Sequence, residues 1–126
     1  KQLCDEVEEL YLSGKNHAKK DVEFHACIAR CSRNRVVEVL IPIINTAVLT
    51  FVNLTQRQLM KETLETHRAI TNAIIKEDSV GAKCAMNMHL TYNRQRIMQI
   101  YEEHLEEEKR NKTSEKDNIS DEKGTA

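Results

Sequence analysis

Residues 36–53, VVEVLIPIINTAVLTFVN, are the stretch that decides the class of fold. Their apolar side chains recur at steps of three and four, which is the repeat of one face of an α-helix. The members of this stripe are Val37, Leu40, Ile44, Ala47 and Phe51. We therefore predict a buried helix that is kinked or broken at Pro42, which lies inside the pattern.

The same stretch falls short of a membrane span. A transmembrane helix needs about 20 predominantly apolar residues. This run is interrupted by Glu38, Pro42 and Asn45. We therefore expect no membrane contact.

The rest of the chain contains few residues that favour tight turns. Its 126 residues include only 3 Gly and 1 Pro, whereas a sheet needs many turn-forming residues between its strands. The length suits one domain with one core. We predict an all-α fold, an antiparallel bundle of about five to six helices. The pattern places helices over residues 1–12, 16–31, 36–53 and 56–76, and from residue 80 to beyond residue 105.

The C-terminal segment differs from the rest in composition. Residues 107–126, EEKRNKTSEKDNISDEKGTA, are charged and contain no large apolar side chain apart from Ile119. Such a segment cannot bury enough apolar surface to offset the entropy of ordering. We expect a disordered tail after a domain that covers residues 1–106.

Charge and cysteine content argue against two classes of protein. The net charge is −1, with 19 basic and 20 acidic residues, so the chain lacks the basic surplus of nucleic-acid binders. Its 4 cysteines include no Cys-x-x-Cys pair and are too few for a disulfide scaffold. We expect no DNA or RNA binding by this chain alone, and we expect buried, reduced thiols in a cytoplasmic protein.

Three of the 5 histidines fall on predicted apolar stripes. On the second helix, His25 follows Asp21 by one turn. His67 lies on the stripe of the fourth helix, and His89 lies on that of the last. Inward polar groups on separate helices are costly to bury unless they satisfy one another or share a ligand.

One carboxylate and three imidazoles in a bundle core fit a divalent transition metal such as zinc, nickel, iron or manganese. An octahedral ion held by four protein donors would keep two positions open. Spacing alone leaves another interpretation open, in which each inward His is a hydrogen-bonded core residue. Asp21 and His25 would then form only a helical charge pair. His17 and His104 we assign to solvent.

Two longer segments resemble a known family. Residues 21–34, DVEFHACIARCSRN, and residues 67–90, HRAITNAIIKEDSVGAKCAMNMHL, are similar to the two halves of the FCD domain. This is the C-terminal effector-binding domain of FadR-type GntR transcription regulators. The resemblance covers residues 3–105 and includes the Asp-x3-His of the first segment and the two histidines of the second.

The resemblance implies a ligand set and a function. In metal-containing members of the family, the residues that match Asp21, His25, His67 and His89 ligate a divalent ion. A small organic acid binds beside the metal through its carboxylate and changes the DNA affinity of an attached winged helix-turn-helix domain. Such regulators act as homodimers in the bacterial cytoplasm.

The resemblance also indicates where this sequence departs from the family. It contains no winged helix-turn-helix, so DNA binding is expected only through that absent domain. Most of the usual first helix of the FCD domain is also expected to be missing. The polar candidates for effector contacts are Arg30, Asn34, Asn45, Asn93 and Arg94.

Two other functions compete with this interpretation. A structural dimerisation module without an effector would use the same histidines to hold a stabilising metal. A metal-dependent enzyme has less support, because di-iron carboxylate bundles need Glu-x-x-His on two helices. No histidine here has a Glu three residues before it. We therefore expect no enzymatic activity.

Overall fold

The computed structural model of the chain describes residues 1–55 and 58–122, with side chains through Lys112. Within these residues the chain forms helices and no strand, which confirms the predicted all-α bundle. The helices are α1 (Gln2–Leu12), α2 (Ala18–Cys31), α3 (Arg35–Thr55), α4 (Met60–Ile75) and α5 (Ser79–Glu122).

Local signals at the helix ends explain where the helices begin and stop. After α1, Gly14 adopts a φ of +74°, a conformation that glycine reaches without strain. Before α3, the Asn34 side chain accepts a hydrogen bond from the Val36 N–H at 2.9 Å. Before α5, the Asp78 carboxylate accepts one from the Gly81 N–H at 2.8 Å. These three breaks lie where the sequence predicts them.

The bundle is built from a few helix pairs. α4 packs along α5 and α2 packs along α3, while α1 contacts α2 and α4. One apolar cluster joins α1, α2, α4 and α5; its buried members are Cys4, Val7, Tyr11, Phe24, Ile70 and Ala85. A second, smaller cluster joins α2 to α3. Four helices therefore converge at one core, which is where the inward histidines lie.

α3 is not broken at Pro42, and the predicted kink there stays a prediction. This proline is exposed, so the carbonyl left without an N–H partner lies on the solvent side. The predicted buried stripe is wrong: Val37, Ile44 and Phe51 are half-buried, and Leu40 and Ala47 are exposed. The buried residues of α3 are Ile41 and Thr55. The reason is that α3 is covered mainly by α2 and has few contacts with α5.

α3 is long and apolar enough to cross a membrane, judged by length and composition alone, so the expectation that this stretch falls short of a span is wrong by that criterion. One such helix is weak evidence for a span. The interruptions noted in the sequence, Glu38, Pro42 and Asn45, all lie within the helix.

α5 extends further than expected. It continues through Glu122, so most of residues 107–126, expected as a disordered tail, is helical. Glu and Lys are good helix formers, and the Arg110 guanidinium lies 3.8 Å from the Glu106 carboxylate one turn earlier. Residues 123–126 lie outside the described residues.

The cysteines are only partly where we expected them. Cys4 is buried in the main core, but Cys27, Cys31 and Cys84 are exposed, and all four are free thiols. The prediction of buried thiols is therefore wrong for three of them. Cys27 and Cys31 lie on α2, and Cys84 lies on α5.

Candidate metal centre

The first two side chains of the site come from α2. Asp21 and His25 are one turn apart, so both point from the same face of the helix into the bundle. Asp21 is only 4% exposed, and its Oδ1 lies 3.5 Å from His25 Nε2. This separation is too long for a good hydrogen bond, and Asp21 Oδ1 has no hydrogen-bond partner among the described residues.

The third side chain, His67, comes from α4 and is 1% exposed. Its Nε2 lies 3.6 Å from Asp21 Oδ1, and its ring packs on Phe24 with centroids 4.3 Å apart. Neither ring nitrogen of His67 has a hydrogen-bond partner among the described residues. Buried nitrogens without partners are destabilising, so this position needs an explanation beyond packing.

The fourth side chain, His89, comes from α5 and is oriented by α4. The Thr66 hydroxyl donates its proton to the Glu62 carbonyl at 2.6 Å. Since a hydroxyl has only one proton, Thr66 Oγ1 accepts the hydrogen bond of 2.9 Å from His89 Nδ1–H. The Nε2 of His89 then carries a lone pair, and the Asn93 amide donates to it at 3.2 Å.

The separations among these groups fit the donor set of a single cation. The candidate ligand atoms of His25, His67 and His89 all lie within 4.8 Å of one another. Asp21 Oδ1 adds its contacts of 3.5 and 3.6 Å to the first two. Two donors on a tetrahedral ion with bonds of about 2.1 Å lie about 3.4 Å apart. The unpartnered atoms of Asp21 and His67 are therefore placed as ligand atoms are.

Burial keeps the three imidazoles of the cluster uncharged at neutral pH. It lowers the pKa of His25 to about 3, with a smaller contribution from His89, and it lowers the pKa of His89 to about 4. It also lowers the pKa of His67 to about 2, and the neighbouring histidines add to the shift. The same burial raises the pKa of Asp21 to about 7. All three imidazoles therefore present lone pairs without proton competition, the form in which His binds metals.

A cavity of 440 Å³ adjoins the cluster between α3 and α5. Three of the four cluster residues, Asp21, His25 and His89, also line it, whereas His67 does not. The cavity therefore reaches three of the four cluster residues. This size falls within the range of about 300–1,000 Å³ that is typical of small-ligand sites.

The residues predicted to contact the effector lie in several different parts of the structure. Asn93 and Arg94 line the cavity. Arg30 lies beside Glu38 on the outer side of α2 and α3, and Asn34 caps α3. Asn45 has a buried Oδ1 without a hydrogen-bond partner in the described part of the chain, but it does not line the cavity.

Sequence reasoning missed several buried polar residues, among them Thr63, Thr66 and His17. Thr63 lines the cavity, and its buried hydroxyl has no partner among residues 1–55 and 58–112. Thr63 lies four residues before His67 on the same face of α4, and this spacing could have identified it from the sequence. His17, which we assigned to solvent, is buried and stacks on Tyr11 with ring centroids 3.6 Å apart. His104 is exposed, as predicted.

Comparison with known protein families supports the class that the fold and the cluster indicate. The FCD domain matches residues 1–92, which is most of the chain. The chain therefore belongs to the FCD domain family, whose members are regulatory, effector-binding domains of GntR-type transcription regulators. No curated protein and no solved structure matches the chain.

Proposed function

We propose that this chain is the metal-dependent, effector-sensing domain of a GntR-family transcription regulator. It binds a divalent transition metal through Asp21, His25, His67 and His89, and a carboxylate effector in the adjoining cavity. The observation that carries this proposal is that three of the four donors also line the cavity. A ligand in the cavity can therefore reach the cation directly.

The donor set suits zinc, nickel, iron or manganese, since imidazole and carboxylate are good ligands for all four. Once bound, the metal supplies a Lewis-acid position for the effector carboxylate. The chain contributes the orientation of the donors: Thr66 fixes the tautomer of His89, and Phe24 packs against the ring of His67. Burial keeps the imidazoles deprotonated.

The site is suited to transmit a binding event because its donors come from three different helices. Asp21 and His25 belong to α2, His67 to α4 and His89 to α5. A ligand that prefers one arrangement of these helices shifts the population toward it. In the full regulator, this shift would change how the paired DNA-binding domains of a homodimer meet their operator.

The remaining parts of the proposal concern the chain as a whole. Residues 1–106 form the ligand-binding and dimerisation domain, DNA is bound through a separate winged helix-turn-helix domain, and the protein acts in the bacterial cytoplasm. A purely structural metal site is the second candidate. It is favoured by the unpartnered Nε2 of buried His67, which a metal alone would satisfy.

Thermal melting separates the two candidates. The chain is melted after dialysis against chelator, after loading with Zn²⁺ or Ni²⁺, and after loading followed by a panel of carboxylates. Sensing predicts a rise in Tm with metal and a further rise with at least one carboxylate, which is lost when the metal is removed. A rise with metal alone, unaffected by every carboxylate, would support the structural role instead.

A matched pair of variants assigns the metal effect to the cluster. His67→Ala removes a proposed donor, whereas His104→Ala removes an exposed histidine far along α5. The first should lose the metal-induced rise in Tm and bind well under one metal per chain by elemental analysis. The second should behave as the parent protein. Equal metal content in both variants would contradict the proposed donor set.

A further inference from the structure

The lining of the cavity combines polar and apolar side chains. The cluster residues are joined there by the polar side chains of Thr63, Asn93 and Arg94. The rest of the wall is apolar and comes from α3 and α5: Ile44, Val48, Phe51, Leu90, Ile97 and Met98. A ligand that contacts both kinds of side chain has a polar group and a hydrocarbon part.

The volume limits the size of such a ligand. With about 30 Å³ for each water-sized group, 440 Å³ holds roughly 15 groups. Acids of four to six non-hydrogen atoms would fill less than half of it. They would leave the apolar wall of α3 and α5 in contact with water, an arrangement that contributes nothing to affinity.

Two polar side chains of the cavity lining, Thr63 and Arg94, are available to bind a head group. Thr63 is 3% exposed, and its hydroxyl has no hydrogen-bond partner in the part of the chain that the structure describes. It faces the same cavity as Arg94, whose guanidinium is the cationic group of the cavity lining. A carboxylate placed there would receive a hydrogen bond from the hydroxyl and an ion pair from the guanidinium.

We propose that the effector is an amphipathic monocarboxylate, with its head group at Thr63 and Arg94 and a hydrocarbon tail of about six to ten carbons along α3 and α5. This inference rests on the proposed function, because it names the chemical class of ligand for the same site. It excludes short hydroxy acids and tricarboxylates as the preferred ligands, since neither provides an apolar tail for the wall.

Isothermal titration of the metal-loaded chain with sodium acetate, butyrate, hexanoate, octanoate and decanoate tests the class, each below its micelle concentration. Affinity should rise by about fourfold per added methylene until the apolar wall is covered. Equal affinity from acetate to octanoate, or tighter binding of lactate or citrate than of octanoate, would overturn the inference and leave metal-dependent sensing intact. Metal binding without binding of any acid would overturn both.

A pair of substitutions on α3 locates the tail. Val48→Phe places a ring in the cavity and should shift the tightest-binding acid to a shorter chain by two or more carbons. Val39→Phe makes the same change at a position that is 76% exposed and does not line the cavity. It should leave the chain-length profile unchanged. The same shift in both variants, or in neither, would contradict the placement of the tail.

Thr63→Val tests the head group with little change in shape. It should weaken every acid by about tenfold and leave the gain per methylene unchanged, because only the hydrogen bond to the carboxylate is removed. An unchanged affinity would show that the head group lies elsewhere. The chain-length series with the unmodified chain remains decisive if a variant fails to fold.

Discussion

Replacing His67 with phenylalanine should stabilise the metal-free protein and abolish its stabilisation by metal. Both ring nitrogens of His67 are buried without hydrogen-bond partners in the described residues. Each such group costs about 1–3 kcal/mol. The phenyl ring removes both and keeps the packing on Phe24, while overpacking offsets about 1–3 kcal/mol of the gain. We expect a net increase of about 1–2 kcal/mol in the free energy of unfolding.

When metal is present, His67→Phe should be less stable than the parent protein. At free Zn²⁺ of about 100 times Kd, the parent protein gains about 2.7 kcal/mol from binding. His67→Phe lacks a donor and should gain nothing. Urea unfolding in chelator and in Zn²⁺ should therefore show a reversed order of stability. The variant is the more stable protein without metal, and the parent is the more stable one with metal.

Thr71→Val is the matched control for this experiment. Thr71 is also buried on α4 with an unpartnered hydroxyl in the described structure, but it lies one turn beyond His67 and outside the cluster. It should raise stability by a similar amount with and without metal. The reasoning would be refuted if His67→Phe lowered stability in chelator, or if it kept the metal-induced gain.

Three further predictions follow from the same geometry. Metal affinity should fall by about tenfold per pH unit below pH 7, because the raised pKa of Asp21, about 7, means that a proton must leave before the carboxylate can bind. Isothermal titration in buffers of different ionisation enthalpy should show this proton release. Thr66→Val should weaken metal binding by about 10- to 100-fold, measured by chelator competition, because it removes the acceptor that orients His89. Ile70→Ala should lower the free energy of unfolding by about 3 kcal/mol in urea, because Ile70 is 1% exposed in the main core.

Each of these predictions has a control within the chain. Asp21→Asn should remove the pH dependence between pH 5 and 7; an unchanged slope would identify another group as the source of the proton. Thr55→Val, at a buried hydroxyl bonded to the Phe51 carbonyl, should leave metal affinity intact. Ile75→Ala, at a position 58% exposed, should change stability by less than about 0.5 kcal/mol. Equal losses at Ile70 and Ile75 would contradict the assigned core.

The grouping of the four cluster side chains was predictable from helical periodicity. Asp21 and His25 share a helix face because they are four residues apart, and His67 and His89 lie on apolar stripes of their own helices. The structure brings the three imidazoles together with the carboxyl group, as that pattern predicts. Periodicity specifies which face of a helix turns inward, but metal binding by these side chains stays a prediction.

Features that depend on how helices pack were not predictable in this way. The cavity exists because α3 packs mainly against α2 and leaves a gap toward α5. No sequence pattern within α3 predicts that gap. His17 precedes α2, outside any stripe, and is buried by stacking on Tyr11. Thr63 shares a helix face with His67, but its place in the cavity wall depends on how α3 packs.

The extent of α5 shows a different limit. Composition predicted that the charged segment after residue 106 would be disordered, because it has no apolar face to bury. The helix nevertheless continues to Glu122, where the Glu- and Lys-rich composition favours helix without tertiary contacts. Low apolar content and high helix propensity make opposite predictions for this segment.

X-ray absorption spectroscopy of the chain loaded with one equivalent of Zn²⁺ tests the central claim most directly. We predict a first shell of nitrogen and oxygen donors at about 2.0–2.2 Å, with the outer-shell scattering of three imidazoles. One imidazole should be lost in His89→Ala. A shell containing sulfur at about 2.3 Å would place the ion on the exposed cysteines. That result, or no stoichiometric binding at all, would contradict the metal centre and with it the sensing function.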